Sequence, residues 1–181
     1  MKASNSFNSD ASFSSCGLYR WSLKRSISNN KSSIIFIGLN PSRASLSIDD
    51  PTLRRILKFS FSWGYGSLIV LNLFARINCS PGILRRCSNP IGKKNDEELS
   101  NWIVQWAKNP LLDLWLGWGN QGAFKNRHLE VMSWLKKNAF ERAYQYPSAF
   151  GPLALGLTSK GHPRHPLYLS NKEVLRPFEL I

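Results

Sequence analysis

Three short segments hold the residue types best suited to chemistry. They are Ile37-Gly38-Leu39-Asn40-Pro41-Ser42, Leu71-Asn72-Leu73 and His165-Pro166-Leu167-Tyr168-Leu169-Ser170. The first two each place an asparagine at the exit of an apolar run. A primary amide offers a donor and an acceptor side by side, which suits the edge of a nucleobase. Asn72 interrupts an otherwise apolar stretch, and a buried amide left without partners costs on the order of 1–3 kcal/mol. A structural Asn satisfied by loop backbone is the competing reading there. For Asn40 the competing reading is a turn residue bonding its own backbone. Gly38 and Pro41 shape that turn, and Ser42 adds a hydroxyl beside it. The spacing matches neither glycine-rich phosphate-loop pattern.

The third segment sets His165 before a proline. His162 also precedes a proline, and Arg164 lies between the two histidines, suited to a phosphate contact. His-x-x-His can bind metal, but no nearby Cys or acid completes a set, so neither metal nor other cofactor is expected. His128 falls within an amphipathic stretch and reads as packing. Trp118, between two glycines, is the candidate for an exposed stacking surface. Asp49 and Asp50 are the carboxylates nearest the first segment, and helix capping accounts for Asp50.

Strands and helices must position these residues. Ser33 to Ile37 and Leu68 to Leu71 are short apolar runs typical of buried parallel strands, and Leu111 to Leu116 is a third. Gly17 to Leu23 alternates as an edge strand would, and Arg142 to Tyr146 is a plausible fourth core strand. Asp50-Pro51 starts a helix whose face is Leu53, Ile56, Leu57 and Phe61, closed by Gly64. Asn95 with Glu98 resembles a capping box ahead of Leu99, Trp102, Ile103 and Trp106, and Pro110 stops that helix. A third helix runs from Phe124 to Lys137. The alternation implies one three-layer α/β/α domain over residues 17–181, with a mainly parallel four-stranded central sheet. Residues 1–16, rich in Ser and Asn, read as a disordered leader. In open α/β sheets, ligands bind at the carboxyl edge of the strands, where both asparagines fall.

Bulk properties narrow the partner. Lys and Arg total 24 against 11 Asp and Glu in 181 residues, a net charge of +13. Such a surplus points to a polyanion, with DNA the expected partner. A generally basic protein is the plainer alternative. No apolar leader or membrane-length stretch is evident, and Cys16, Cys79 and Cys87 form no metal pattern. The expectation is a cytoplasmic monomer with free thiols and no membrane contact.

On these residues the chain resembles two families. Gly38 to Ser42, Leu71-Asn72, Leu114 to Gly119 and His165 to Ser170 are similar, in order and approximate spacing, to motifs of the uracil-DNA glycosylase superfamily, especially its mismatch-specific branch. A more specific pattern is Asn40 to Ser42, Asp50 to Thr52, Trp63 to Gly66, Asn72 to Ala75 and Pro163 to Leu169. It resembles a bacterial and phage domain family of unknown function, numbered 1643, which brings no established activity. The glycosylase resemblance implies catalytic roles for Asn40, positioning water, and His165, stabilising the departing base. It implies that Asn72 reads a flipped base, that Gly38, Pro41 and Ser42 shape the base site, and that Leu169 wedges into the stack. Arg43, Arg164 and His162 would hold phosphates.

Two departures stand out. Asn40 cannot accept a proton, and no aromatic residue lies between Arg43 and Asp50 to stack on a base. The leading expectation is a DNA glycosylase-like hydrolase, acting in repair or in defence against phage with modified bases. A non-catalytic nucleic-acid-binding module and an enzyme on a free nucleotide are the alternatives.

Overall fold

A computed structural model describes residues 9–42, 49–77 and 81–180. In chain order the elements are β1 (Ser9–Phe13), β2 (Arg20–Ser26), β3 (Ser33–Gly38), α1 (Pro51–Ser62), β4 (Ser67–Asn72) and α2 (Pro81–Arg86). There follow α3 (Asn95–Ala107), β5 (Leu112–Leu116), α4 (Arg127–Gln145), β6 (Leu153–Ala154) and β7 (Arg176–Pro177). The strands form one seven-stranded sheet in the order β1-β2-β4-β3-β5-β6-β7.

This sheet is mixed, which corrects the mainly parallel, four-stranded expectation. β4, β3, β5 and β6 run parallel in the middle. Antiparallel strands extend it on both sides, β1 and β2 beyond β4 and β7 beyond β6. Ser9–Phe13, inside the segment expected to be a disordered leader, is the outermost strand. It therefore displaces the expected edge strand: β2 is interior, paired to β1 on one side and β4 on the other.

Side-chain alternation along the parallel strands divides the core into two layers. Ile35, Ile37, Ile69, Leu71, Leu114 and Leu116 face α3 and α4. Ile34, Phe36, Leu68, Val70 and Trp115 face α1. Helices therefore cover both faces, as expected of a three-layer α/β domain. β4 lies on one side of β3 and β5 on the other, so the chain reverses its direction of travel across the sheet at β3. That is where a crevice opens at the carboxyl ends of the strands.

The helices carry four corrections. α1 begins as expected, with Asp50 as N-cap accepting from the Leu53 N–H at 2.8 Å and Pro51 in the first turn. Its buried face is Leu53, Ile56 and Phe59, while Phe61 is exposed. Asn95 does not cap α3. It lies inside the first turn, fully buried, and Glu98 accepts from the Trp102 indole N–H instead of reaching back. Arg142 to Tyr146 is the end of α4 and not a strand. Val131, Leu135 and Arg142 share that helix's buried side, and the Arg142 guanidinium bonds the carbonyls of Trp106, Asn109 and Phe150. α4 itself starts at Arg127, three residues later than the expected Phe124.

Candidate functional site

β3 and β4 end side by side, with Gly38 paired to Asn72 in register. By the two-residue period, Phe36 and Gly38 on β3 and Val70 and Asn72 on β4 all point to the α1 side. Gly38 permits a close approach there. A β-carbon on it would lie 2.9 Å from the Phe36 ring and 3.1 Å from Asn72 Oδ1. Gly117, just beyond β5, is tighter still, its β-carbon falling 2.4 Å from the same ring. Two glycines therefore seat one phenylalanine, which also packs edge-on against Trp115 at 4.7 Å between centroids.

Above this floor lies a cavity of about 450 Å³, within the range of roughly 300–1,000 Å³ typical of small-ligand sites. Gly38, Asn40, Ser42, Asn72 and His165, from the three segments singled out by sequence, all line it. Asn72 is 4% exposed, and its Nδ2 has no hydrogen-bond partner among the described residues. Its backbone is held from the other side of the sheet. Asn95 Nδ2 donates to the carbonyls of Asn72 and Leu73 at 3.1 and 3.0 Å, and buried Arg127 donates to Leu73 O at 2.9 Å. The strand exit is fixed while the amide it carries is unsatisfied.

His165 sits half-buried before a short 3-10 turn, Pro166–Tyr168. Its Nδ1 accepts from the Leu167 N–H at 3.3 Å, so in the neutral ring Nε2 carries the proton. Burial lowers its pKa below the ordinary imidazole value, and the Asp50 carboxylate partly opposes that. The ring is therefore neutral at pH 7 and acts as an N–H donor. The turn is tied to α1 by Arg55, which donates to the carbonyls of Pro166 and Leu169 and to Asn171 Oδ1. On the opposite wall, Gly119 donates to Pro163 O at 2.9 Å, linking the loop after β5 to the same C-terminal segment.

Other expected residues fall outside this geometry. Leu169 is buried in the core layer beneath α1, so it is not an exposed wedge. Its neighbour Tyr168 is 89% exposed on the cavity rim. Trp118 is likewise buried, which removes it as an exposed stacking surface, although it forms part of the cavity wall. Pro41 is buried beside the cavity, and Asn40 Nδ2 donates to the Pro41 carbonyl at 3.3 Å. Arg164 is exposed and does not line the cavity. His162 stacks edge-on against His128 at 4.8 Å, away from it. Arg43 lies outside the described residues. No group of three or more metal-ligating side chains occurs among the described residues.

Three cavity residues carry no clear signal in the sequence. Arg20 is buried at the start of β2, and desolvation lowers its pKa to about 10, with Asp50 opposing the shift and Arg25 adding to it. Phe36 is an aromatic residue of the cavity wall. Its position two residues before Gly38, on the same strand face, is the signal that could have found it. Asp50 reads as a cap alone, yet it also lines the cavity.

No helix among the described residues is long and apolar enough to cross a membrane. Neither a curated protein nor a solved structure matches the chain. A family model described as "Protein of unknown function (DUF1643)" matches residues 20–167, and with most of its length so matched the chain belongs to that family.

Proposed function

We propose that the cavity receives a nucleobase turned out of DNA and that the protein hydrolyses its N-glycosidic bond. The observation that carries this reading is the buried Asn72 amide. Few such groups stay unpaired in folded proteins, because the unsatisfied amide is costly and an apolar replacement would be less so. A planar ligand with alternating donors and acceptors would satisfy it. Phe36 offers a ring face for that ligand at the floor. His165, as a neutral Nε2–H donor, would stabilise the negative charge that collects on the base as the bond breaks. Asn40 would orient water near the sugar carbon. The net charge of +13 suits a phosphate backbone, with Arg164 and His162 as contacts outside the cavity and Arg43 as a further basic contact. Tyr168, exposed at the rim, would fill the gap in the stack in place of the wedge expected of Leu169, which is buried.

A second reading rests on Asn40. An amide cannot serve as a general base, and binding without cleavage fits that residue equally well. One experiment separates the two. Labelled oligonucleotides, single- and double-stranded, carrying uracil, mismatched thymine, hypoxanthine or enlarged pyrimidines are incubated with the protein and treated with alkali. Strand scission that is lost in Asn72→Leu and His165→Ala supports hydrolysis. Salt-sensitive binding without scission moves the function to recognition.

A further inference from the structure

We propose that Asp50 is the proton acceptor for the hydrolytic water, taking over the role that Asn40 cannot fill. The inference rests on the hydrolytic reading of the cavity and assigns its missing base. Attack by water on a sugar carbon releases a proton that some group must take. Asn40 is an amide. His165 uses Nδ1 to accept the Leu167 N–H, and its other nitrogen carries the proton. Arg20 is a cation. Among the described residues that line the cavity, Asp50 is the sole carboxylate, and residues 43–48 read Arg-Ala-Ser-Leu-Ser-Ile and hold none.

The fold also prepares Asp50 for this task. Its Oδ1 accepts the Leu53 N–H at 2.8 Å, which fixes the side chain at the start of α1. Its charge reaches two other cavity groups, Arg20 from β2 and His165 from the C-terminal segment. Asp49, its neighbour, is engaged elsewhere, pairing with Arg25 at 3.0 Å. The two adjacent acids therefore divide the work, one bracing β2 and one facing the cavity.

In the step itself, Asp50 accepts one proton from water as the water oxygen bonds to the sugar C1′. The C1′–N bond breaks and its electron pair leaves with the base. The base anion, held by the His165 N–H and Asn72, then takes up a proton from solvent water, and Asp50 returns its proton to solvent, so the base and the abasic sugar leave neutral and the carboxylate is restored.

Asp50→Asn tests this cleanly, because asparagine caps a helix about as well as aspartate. Asp50→Ser is a second variant with good capping. Single-turnover base release is measured for wild type, both variants and Asp49→Asn, together with oligonucleotide binding and thermal unfolding. The expected result is a fall of about 10²–10⁴-fold in both Asp50 variants. Binding and unfolding stay near wild type, and Asp49→Asn releases base normally. Release by folded Asp50→Asn within about tenfold of wild type would overturn the assignment and leave the hydrolytic reading standing. Wild type that binds but releases no base overturns both.

Discussion

At opposite ends of β3, β4 and β5 the protein treats buried polar groups in opposite ways. At the amino ends several of them bond one another, although Arg142 Nη2 and the Trp106 indole N–H have no hydrogen-bond partner among the described residues. Tyr65 donates to Asp113 at 2.6 Å, Ser33 and Ser67 share a 2.6 Å hydroxyl contact, and Arg142 bonds three carbonyls with its guanidinium 3.5 Å from Asp113. Burial and the bond to Asp113 push the Tyr65 phenol far above its usual range, so the hydroxyl serves purely as a donor. At the carboxyl ends the polar groups surround a cavity, and Asn72 keeps a buried N–H₂ without a partner among the described residues. Polar side chains therefore tie loops and helices together at one end and line an open space at the other.

Mutations at the two ends should consequently move different observables. The largest effect is expected at the amino end. Arg142→Ala leaves the Trp106, Asn109 and Phe150 carbonyls without their donor, and truncating such a buried ion should cost about 3–5 kcal/mol in urea unfolding. The protein that remains folded should retain its ligand affinity. Asn72→Leu is the converse. It should reduce base release by about 10²–10³-fold, the scale of removing one well-placed polar group from a reaction site. Stability in the same urea titration should hold or rise, because an unsatisfied amide has been removed. A drop in stability with unchanged release would erase the distinction between the two ends.

Gly38→Ala probes the boundary between floor and amide. Its β-carbon would meet the Phe36 ring at 2.9 Å, and overpacking of this kind costs roughly 1–3 kcal/mol. Both stability and binding should fall, since Phe36 and Asn72 Oδ1 are displaced together. The smallest effect concerns acid. His165 has a folded pKa below the unfolded imidazole value, so the unfolded chain binds the proton first as pH falls. Stability should therefore decline as pH drops below the ordinary imidazole range and level off beneath the folded pKa. His165→Gln should flatten that part of the unfolding profile.

The parallel core is legible in the sequence because a short apolar run that stops at a glycine or a polar residue suits a buried strand and little else. Ser33 to Ile37, Leu68 to Leu71 and Leu111 to Leu116 match β3, β4 and β5 within a residue or so at each end. β1 and β6 are not legible, because one lies in a Ser-rich segment and the other has two residues. Arg142 misleads for a physical reason: a buried cation on a helix face breaks the apolar period that marks a helix. Asn95 misleads similarly, since an Asn ahead of acids looks like a cap whether its amide turns toward the helix or into the core. In the site, Asn72 and His165 stand out because polar residues within or beside apolar runs are unusual. Phe36 does not, because a phenylalanine in a buried strand is ordinary until the two glycines packed against its ring and its place in the cavity wall are known. Arg20 and Asp50 come from segments far apart in sequence, and only the folded chain makes them neighbours of one space.

Arg55 has a mechanical consequence. Helix α1 bears Asp50 at its start and, one turn on, the arginine that grips the Pro166–Tyr168 turn. Two cavity walls separated by more than a hundred residues of chain are thus mounted on one rod, and neither can swing outward without dragging the other. The tail beyond Tyr168, which adds only the two-residue strand β7 to the sheet, is latched to that rod through Leu169 and Asn171. A ligand that bridged the two walls should therefore steady the segment after Tyr168 as well, and an endoprotease should cut there more slowly in its presence.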